Sequence, residues 1–464
     1  GRLHGRIGDV LAATSAAGNP EWASVAHHYE EADRYAAAAA AYEQASAVAR
    51  RRGALDEART YLIRALENIE RLPTGTERDE YEVAIRLQSG FLSSVATGHA
   101  SREAAAEFER CLQLIGDKVS SQLYATLNAL WSYYFARGDL DRATQLGESI
   151  RSRLADMPPS MRVGSELQSA GLAWFQGDFA RARNLIEAAA KVADELPSPP
   201  TEGNFFAPNE PIATLYTYLA TSRFVQGDLA GAEAALAQTY HRCQQVSFPH
   251  GMFSLAYGKS LEIWIRMEAG QLERAAQLAT ELADLGKQYG FDEWMMVAAA
   301  QGAMARARAW LADDGPNPAM LQTHIETVTA VAQTWRAYDL KVFLACIDAV
   351  LARLLTAAGQ RDAARDRVAI ALELANDTGM HFYDSELLRV RAHISADPDV
   401  RHAGLRDAVA LARDQAAPIF EMRAAADDFE LIGEPARAAL AEAVGRFPPD
   451  QNWPELTRAR ALLG

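Results

Sequence analysis

The sequence predicts an all-α protein, a right-handed superhelical solenoid of tetratricopeptide-like helical hairpins. A short turn signature recurs at least seven times along the 464 residues: Gly, a polar or small residue, often Leu or Phe, two further residues, then Ala. Its copies are separated by 85, 39, 50, 43, 89 and 74 residues, and most of these steps are near 40 or twice that. No segment alternates apolar and polar residues as a strand would. Such a period is typical of stacked helical hairpins.

The signature is interpreted as the turn between the two helices of a hairpin. Gly ends the first helix in a left-handed turn, and the small Ala lets the second helix pack closely against the first. Four of the glycines are preceded at three residues by a large apolar side chain, which we expect to fill the gap beside that Ala: Phe135, Trp174, Phe224 and Met267. The copies begin at Gly53, Gly138, Gly177, Gly227 and Gly270, with degenerate copies from Gly359 to Ala364 and from Gly433 to Ala438.

Amphipathic helices are predicted on both sides of these turns. After Gly53, apolar residues follow one another at 3- and 4-residue steps until Pro73-Thr74-Gly75, which stops the helix. The helix before Gly138 is predicted from about Ser120 to Arg137, and the next from Leu140 to Leu154. Residues 21–464 are therefore expected to form the solenoid, of roughly ten hairpins.

One segment, at about residues 196–211, departs from the helical repeat pattern and is predicted to be an inserted loop. It contains five prolines and the pair Phe205-Phe206. Long loops in compact proteins are often functional. The two phenylalanines are candidates for contact with a ligand, and the alternative is that they fasten the loop to the solenoid.

Composition excludes several classes of function. With 46 basic and 61 acidic residues the net charge is −15, which argues against general nucleic-acid binding. The chain has no run of 18 apolar residues, so no membrane span is expected. Its three cysteines are far apart and suit a reducing cytosol, which predicts a cytoplasmic protein.

Searches for catalytic and cofactor motifs fail on spacing. Gly258-Lys259-Ser260 imitates the end of a phosphate-binding loop, but six residues separate its two glycines and the string lies in an apparent helix. His27 and His28 are adjacent, so in a helix they point about 100° apart and do not share a metal. We therefore expect no catalytic residue, no cofactor and no metal.

What remains is an interaction surface. The first helix of each hairpin usually lines the concave groove of such a solenoid. Polar and aromatic side chains on those helices, together with the loop phenylalanines, are the candidates for binding a partner or effector: Asn128, Tyr133, Phe205, Phe206, Thr217, Arg223, Lys259, Glu262 and Arg266.

Three stretches carry a resemblance to a known family. They are AHHYEEA from Ala26, GMHFYDSELLRVR from Gly379, and the ending from Ala408 through NWPEL at Asn452. They resemble the C-terminal repeat region of large bacterial signalling proteins with an ATPase module before tetratricopeptide-like repeats. Many members of that family begin with a class III adenylate or guanylate cyclase domain. LuxR-type or MalT-like transcription activators have a related architecture.

This resemblance implies that residues 1–20 are the tail of an upstream ATPase-associated helical segment. It also implies a non-catalytic sensor or scaffold that binds a protein partner or small effector and controls an upstream ATPase or cyclase. The alternatives are a self-association module that pairs with copies of itself, and the repeat region of a LuxR- or MalT-like activator. The chain begins with Gly1 and is interpreted as a fragment of something longer.

Overall fold

The computed structural model describes residues 1–14, 21–116, 118–153, 159–195, 208–313 and 317–464. Within these ranges the chain forms 23 α-helices and two short 3₁₀ turns, with no β-strand, so the all-α prediction is confirmed. The helices are α1 (Arg2–Thr14), α2 (Trp22–Glu30), α3 (Tyr35–Arg51), α4 (Leu55–Ile69), α5 (Thr76–Thr97), α6 (Arg102–Ile115), α7 (Ser121–Ala136), α8 (Leu140–Arg151), α9 (Pro159–Phe175), α10 (Phe179–Glu195), α11 (Pro211–Val225), α12 (Leu229–Gln245), α13 (His250–Glu268), α14 (Leu272–Tyr289), α15 (Asp292–Ala312), α16 (Leu321–Ala337), α17 (Leu344–Ala357), α18 (Arg361–Thr378), α19 (Asp384–Ile394), α20 (Pro398–Asp414), α21 (Pro418–Ile432), α22 (Arg437–Val444) and α23 (Pro454–Leu463).

The repeated turn signature works as its chemistry predicts. All seven of its glycines have positive φ. At Gly138 the backbone N–H donates to the carbonyl of Phe135 at 3.0 Å, and the N–H of Asp139 donates to Tyr134 at 2.9 Å. Asp139 then caps the second helix, since its side chain accepts from the N–H of Arg142 at 3.0 Å. One hexapeptide thus ends one helix and starts the next.

The alanine of the signature is buried in nearly every copy. Six of the seven are completely buried, at 0% exposure: Ala58, Ala143, Ala182, Ala232, Ala275 and Ala364. The copy at Gly433 departs from the prediction. A 3₁₀ turn at Glu434–Ala436 shifts the register, so that Ala436 is buried and Ala438 is exposed.

The helices pair in chain order into hairpins, from α3 with α4 to α21 with α22. From α5 onwards, first helices also contact the next first helix, α7 and α9 through the side chains of Asn128 with Gln168 and Phe135 with Phe175. One continuous layer results, and it consists of α5, α7, α9, α11, α13, α15, α17, α19, α21 and α23. The second helices lie outside this layer. This arrangement is the predicted solenoid of about ten hairpins.

Successive turns of the superhelix touch each other. The N–H of Lys341, before α17, donates to the carbonyl of Ala136 at the end of α7, and Phe382 donates likewise to Phe175 at the end of α9, both at 3.0 Å. Further on, Glu455 in α23 donates to Ala269 just after α13 at 3.4 Å. Helix α5 contacts α15, and α11 contacts α21. Every one of these pairs is ten helices apart, so one superhelical turn contains five hairpins. We call α5–α14 the first turn and α15–α23 the second turn.

Two expectations about organisation lie partly outside the described residues. Helix α1 packs on α2, and the assignment of residues 1–20 to an upstream unit stays a prediction. Of the predicted loop at 196–211, the structure describes residues 208–211, and Phe205 and Phe206 lie outside it. Where the description resumes, Glu210 caps α11 by accepting from the N–H of Ala213 at 2.7 Å.

We expect Gly138→Ala to destabilise the protein more than Gly359→Ala. The two glycines have nearly equal φ, 74° and 75°, so both substitutions carry the same left-handed strain of about 1–2 kcal/mol. At Gly359 a new Cβ meets nothing within 4 Å, whereas at Gly138 it lies 2.8 Å from carbons of Lys341 and Thr378 in the second turn. Overpacking there should add about 1–3 kcal/mol. Urea unfolding of both variants measures the difference, and equal losses would argue against contact between the turns.

Candidate functional site: a cavity between the superhelical turns

An interior cavity of about 710 Å³ lies where the first turn meets the start of the second. Its wall is built almost entirely from first helices of the hairpins: α7, α9, α11, α13, α15 and the start of α17. The second helices contribute Trp335 of α16. The cavity is therefore the inside of the superhelix, closed where the two turns come together.

Helical periodicity explains why each first helix gives several side chains to the wall. On α7 the lining residues include Tyr124, Asn128, Trp131 and Phe135, at steps of three and four residues that keep them on one face. The opposite wall repeats the pattern on α15, with lining residues at the same steps: Trp294, Val297, Gln301 and Met304.

Aromatic rings give the wall its shape. Trp131 stacks on Phe135 with ring centroids 4.7 Å apart, and Phe135 meets Phe175 edge to face at 5.0 Å. Phe175 in turn contacts Phe343, which precedes α17, at 5.5 Å. The ring packing thus runs from the first turn into the second, and the lining is largely apolar.

A few buried amides interrupt the apolar wall. Gln168 donates to Asn128 Oδ1 at 2.7 Å, and Gln301 donates to the carbonyl of Ser260 at 2.8 Å. The remaining Oε1 atom of Gln168 and that of Gln301 are buried and accept no hydrogen bond from the part of the chain that the structure describes. Buried acceptors without a donor cost free energy, so they are where a ligand donor would be favourable.

At one end of the cavity a histidine is held from both sides. The Nδ1 atom of His99 lies 3.0 Å from Glu293 Oε2, and its Nε2 atom lies 3.2 Å from Asn209 Nδ2. Because His99 follows α5 and Glu293 is on α15, this pair also joins the two turns. With both ring nitrogens engaged, His99 offers neither of them to a substrate.

The thiol and the phenols of the wall are uncharged at neutral pH. Burial raises the pKa of the Cys346 thiol well above its ordinary value, and the charge of Glu268 adds to this. Burial likewise raises the pKa of Tyr218 and, more strongly, that of Tyr257. Apart from the pair of Glu293 with His99, the wall is aromatic, aliphatic and amide-bearing, and such a wall suits binding of a largely apolar molecule.

The structure brings one of the predicted binding residues, Asn128, to the cavity wall. Tyr133, also on α7, lies outside the cavity, under the guanidinium of Arg137 at 5.1 Å. Thr217 is fully buried between α11 and α12, where its hydroxyl donates to the carbonyl of Ala213 at 2.8 Å. Arg223 donates to the carbonyl of Gly231 at 3.1 Å, at the turn of the same hairpin.

The three predicted residues of α13 also lie outside the cavity. Lys259 Nζ pairs with Glu281 of α14 at 2.7 Å. Glu262 accepts from Tyr240 of α12 and from Arg266 at 3.0 Å. These ion pairs hold α13 to its neighbours α12 and α14. Partner binding by these residues stays a prediction.

The lining residues that sequence reasoning did not select include all the aromatic side chains of the wall. The face of α13 that lines the cavity is shifted by one residue from the predicted set and contains Ser260, Leu261, Trp264 and Met267. Two of the four side chains predicted to fill gaps near the turns, Phe135 and Met267, line the cavity, while Trp174 and Phe224 are buried in the core. The available signal was the concentration of Trp, Tyr and Phe on first helices.

Next to the cavity is a cluster of buried charges. Glu268 ends α13 and is 1% exposed. It accepts from Arg308 at 2.5 Å, from Arg423 at 2.8 Å and from the hydroxyl of Tyr383 at 3.1 Å. Burial alone would raise the pKa of Glu268, but the charges of Arg308 and Arg423 lower it to about 2. One carboxylate of the first turn thus bonds to α15, to α21 and to the residue that precedes α19 in the second.

Other motifs examined in the sequence are accounted for structurally. Gly258, Lys259 and Ser260 lie in the middle of α13, away from any helix N-terminus. His28 contacts His4, with their Nδ1 atoms 3.0 Å apart. Over the described ranges there is no group of three or more His, Cys, Asp or Glu side chains able to hold a metal ion. None of the described helices has the length and apolar character needed to cross a membrane.

Comparison with known proteins shows the fold. No family model matches the chain, and no curated protein matches it. A solved Rap protein complexed with competence and sporulation factor aligns over 82% of this chain and 99% of its own, with 11% identity and a TM-score of 0.52. The Rap conjugation gene regulator of plasmid pLS20, in complex with the Phr* peptide, aligns over 83% and 98%, with 11% identity and a TM-score of 0.49.

A third solved structure is a signal transduction ATPase with numerous domains and a tetratricopeptide repeat sensor, from Pyrococcus horikoshii. It aligns over 82% of this chain and 64% of its own, with 11% identity and a TM-score of 0.34. The alignment with the Rap protein, which has a TM-score above 0.5, shows that the chain shares the helical fold of that protein.

Replacing Glu268 by Gln should strongly destabilise the protein at pH 7, because Arg308 would keep its buried charge without a counter-ion and Arg423 would lose one of its two close carboxylate partners, keeping Glu386 at 2.9 Å. Breaking a buried ion pair in this way costs about 3–5 kcal/mol. Glu67→Gln is the control, since Glu67 pairs with Arg64 on the surface with both side chains exposed, and it should change little. Thermal unfolding of both variants measures this.

The pH dependence has a definite sign. A carboxyl whose folded pKa of about 2 lies below its unfolded value contributes stability above the unfolded pKa and loses it as the pH falls towards 2. We expect the melting temperature of the unaltered protein to drop steeply below pH 5, and that of Glu268→Gln to drop less. Parallel curves would show that Glu268 is not charged in the fold.

Proposed function

We propose that the chain is a non-catalytic sensor module that binds a small, largely apolar effector inside its superhelix. The cavity between the turns is the observation that carries this proposal. Its volume of about 710 Å³ lies within the range of small-molecule sites, roughly 300–1,000 Å³. Its wall has the composition of such sites, mainly aromatic and aliphatic with a few polar groups.

The position of the cavity supports sensing rather than simple storage. A molecule in it contacts α7, α9 and α13 of the first turn and α15 and α17 of the second turn at the same time. Binding should therefore favour the closed arrangement in which Lys341 and Phe382 bond to the first turn. A ligand that binds one arrangement better than another shifts the population towards it, and this shift is the signal.

The resemblance of the sequence suggests where the signal goes. We propose that the module belongs to a bacterial signalling or transcription regulator of the cytoplasm and controls an upstream ATPase or cyclase of the same protein. The Rap protein of the comparison is complexed with competence and sporulation factor, so this type of fold supports recognition of a regulatory ligand. A cavity wall whose thiol and phenols are neutral, and whose histidine is fully engaged, supports a role without catalysis.

Binding in the cavity can be tested with N-phenyl-1-naphthylamine, an uncharged apolar fluorophore. We expect one molecule to bind per chain with a rise in fluorescence. Val297→Phe, which adds a ring at the cavity wall, should weaken binding at least tenfold. Ala299→Phe is the matched control, because Ala299 is exposed on the same helix two residues away, and it should bind as the unaltered chain does. Equal binding by both variants would place the fluorophore outside the cavity.

Coupling of binding to closure can be tested by hydrogen exchange. Saturating fluorophore should slow exchange at the backbone N–H of Lys341 and of Phe382, because both donate to the first turn. The N–H of Gln360, which bonds to Leu355 within its own hairpin at 2.9 Å, should change little. Slowing at all three amides alike would indicate general stabilisation and would contradict a specific effect on closure.

A further inference from the structure

The wall of the cavity contains one carboxylate and neither lysine nor arginine. Among the described residues that line it, Glu293 is the only Asp or Glu. The other polar groups of this lining are hydroxyls, amides, indole N–H groups, a thiol and the ring of His99. The formal charge of the wall therefore depends on Glu293 and His99 alone.

The ring of His99 is neutral in this arrangement. Its Nε2 atom lies 3.2 Å from Asn209 Nδ2, and an amide nitrogen can only donate. Because Nε2 must accept this hydrogen bond, the ring proton is on Nδ1, which lies 3.0 Å from Glu293 Oε2. A neutral imidazole donates to the carboxylate without balancing its charge. The wall is therefore left with one uncompensated negative charge.

The two oxygens of Glu293 have different surroundings. Oε2 accepts from the backbone N–H of His99 at 3.3 Å as well as from its ring, and these bonds join the second turn to the first. Oε1 accepts no hydrogen bond from the part of the chain that the structure describes. The side chain is only 9% exposed and lines the cavity, so a molecule inside the cavity can reach this oxygen.

Aromatic rings surround this end of the cavity. Trp294 follows Glu293 and its ring centroid lies 6.0 Å from that of Tyr257, and both residues line the cavity. The faces of such rings attract cations. Burial is the main cause of the raised pKa of Tyr257, and the charge of Glu293 adds to it, so the field of this carboxylate reaches the wall. These surroundings favour a cation over an anion.

We propose that Glu293 binds the ammonium group of the effector, whose apolar part occupies the rest of the cavity. The ligand class is a largely apolar primary or secondary amine, which is positively charged at neutral pH. Its N–H group donates a charge-assisted hydrogen bond to Oε1. This inference rests on the proposed function for the apolar part and on Glu293 for the charged end.

The experiment compares two ligands that differ only at the polar end, decylamine and 1-decanol. Each is titrated at pH 7, below its micelle concentration, against chain loaded with N-phenyl-1-naphthylamine. We expect decylamine to displace the fluorophore at concentrations at least tenfold lower than 1-decanol, because only the ammonium balances the charge of Glu293. Equal or weaker displacement by decylamine would overturn the inference.

Glu293→Gln keeps the shape of the side chain and an acceptor for His99, and it removes the charge. We expect it to abolish the advantage of decylamine while the fluorophore and 1-decanol still bind. Asp292→Asn is the matched control, because it removes the same charge from the exposed neighbouring residue of α15, and it should keep the advantage. An advantage that survives in Glu293→Gln, or is lost equally in Asp292→Asn, would contradict the proposal.

Glu293 also joins the two turns, so a second measurement covers a Glu293→Gln variant that does not fold. It is a crystal structure of the unaltered chain with decylamine. The nitrogen within hydrogen-bond distance of Glu293 Oε1 would support the proposal, and the nitrogen at any other place would overturn it.

Failure of the cavity proposal would look different. If neither the fluorophore nor 1-decanol binds, calorimetric titration of decylamine into the unaltered chain and into Glu293→Gln still makes the comparison. Tighter binding to the unaltered chain would support Glu293 as an ammonium site and count against the apolar cavity. Equal or absent binding would overturn the inference about Glu293. If the fluorophore and 1-decanol bind and decylamine has no advantage, the cavity stands and the ammonium site alone is rejected.

Discussion

Contact between successive superhelical turns is the constraint on which the rest of this structure depends. An α-helix ends with carbonyl groups that have no partner within the helix. Here the last carbonyls of α7 and α9 accept backbone N–H groups from residues that precede α17 and α19. Because the pairing is always ten helices apart, it sets five hairpins to a turn. The close approach of the two superhelical turns also requires small residues at the hairpin turns of the first. Gly138 and Gly227 meet this requirement, because a Cβ atom added at either would lie within 3 Å of side chains of the second superhelical turn.

Contact between the two superhelical turns creates both the cavity and the cluster of buried charges beside it. First helices that come together around a common axis cannot all fill the middle, and the space left over is lined by their inward faces. Further along, the same inward faces carry arginines and carboxylates, and Glu268 of the first turn holds Arg308 and Arg423 of the second. Removing so many charges from water is costly unless each is paired, and Glu268 meets this requirement by pairing with both arginines.

Much of the fold could be predicted from the sequence, because hairpin formation is local. The six residues from Gly138 to Ala143 contain the left-handed turn, the cap and a small residue for the interior, and in the structure Gly138 has positive φ, Asp139 caps α8 and Ala143 is fully buried. The turn at Gly433 was misplaced because Pro435 introduces a 3₁₀ turn, a local change that the general pattern does not show.

The site was harder to predict, because it depends on which residues meet across about two hundred positions. Asn128 reaches the cavity, whereas Lys259, Glu262 and Arg266 pair with the neighbouring helices. On α13 the residues that line the cavity are the sequence neighbours of the predicted ones. Adjacent residues of a helix point about 100° apart, so an error of one position moves a side chain off the cavity wall. The pairing of Glu268 with Arg423 follows from the number of hairpins per turn, which no single repeat specifies.

The account is tested most directly by a crystal structure of the chain with 10-bromo-1-decanol. We expect the turns to be closed, with Lys341 bonded to Ala136 and the bromine's anomalous signal between α7 and α15. An open superhelix with the turns apart, or bromine bound only on the outer helices, would contradict it.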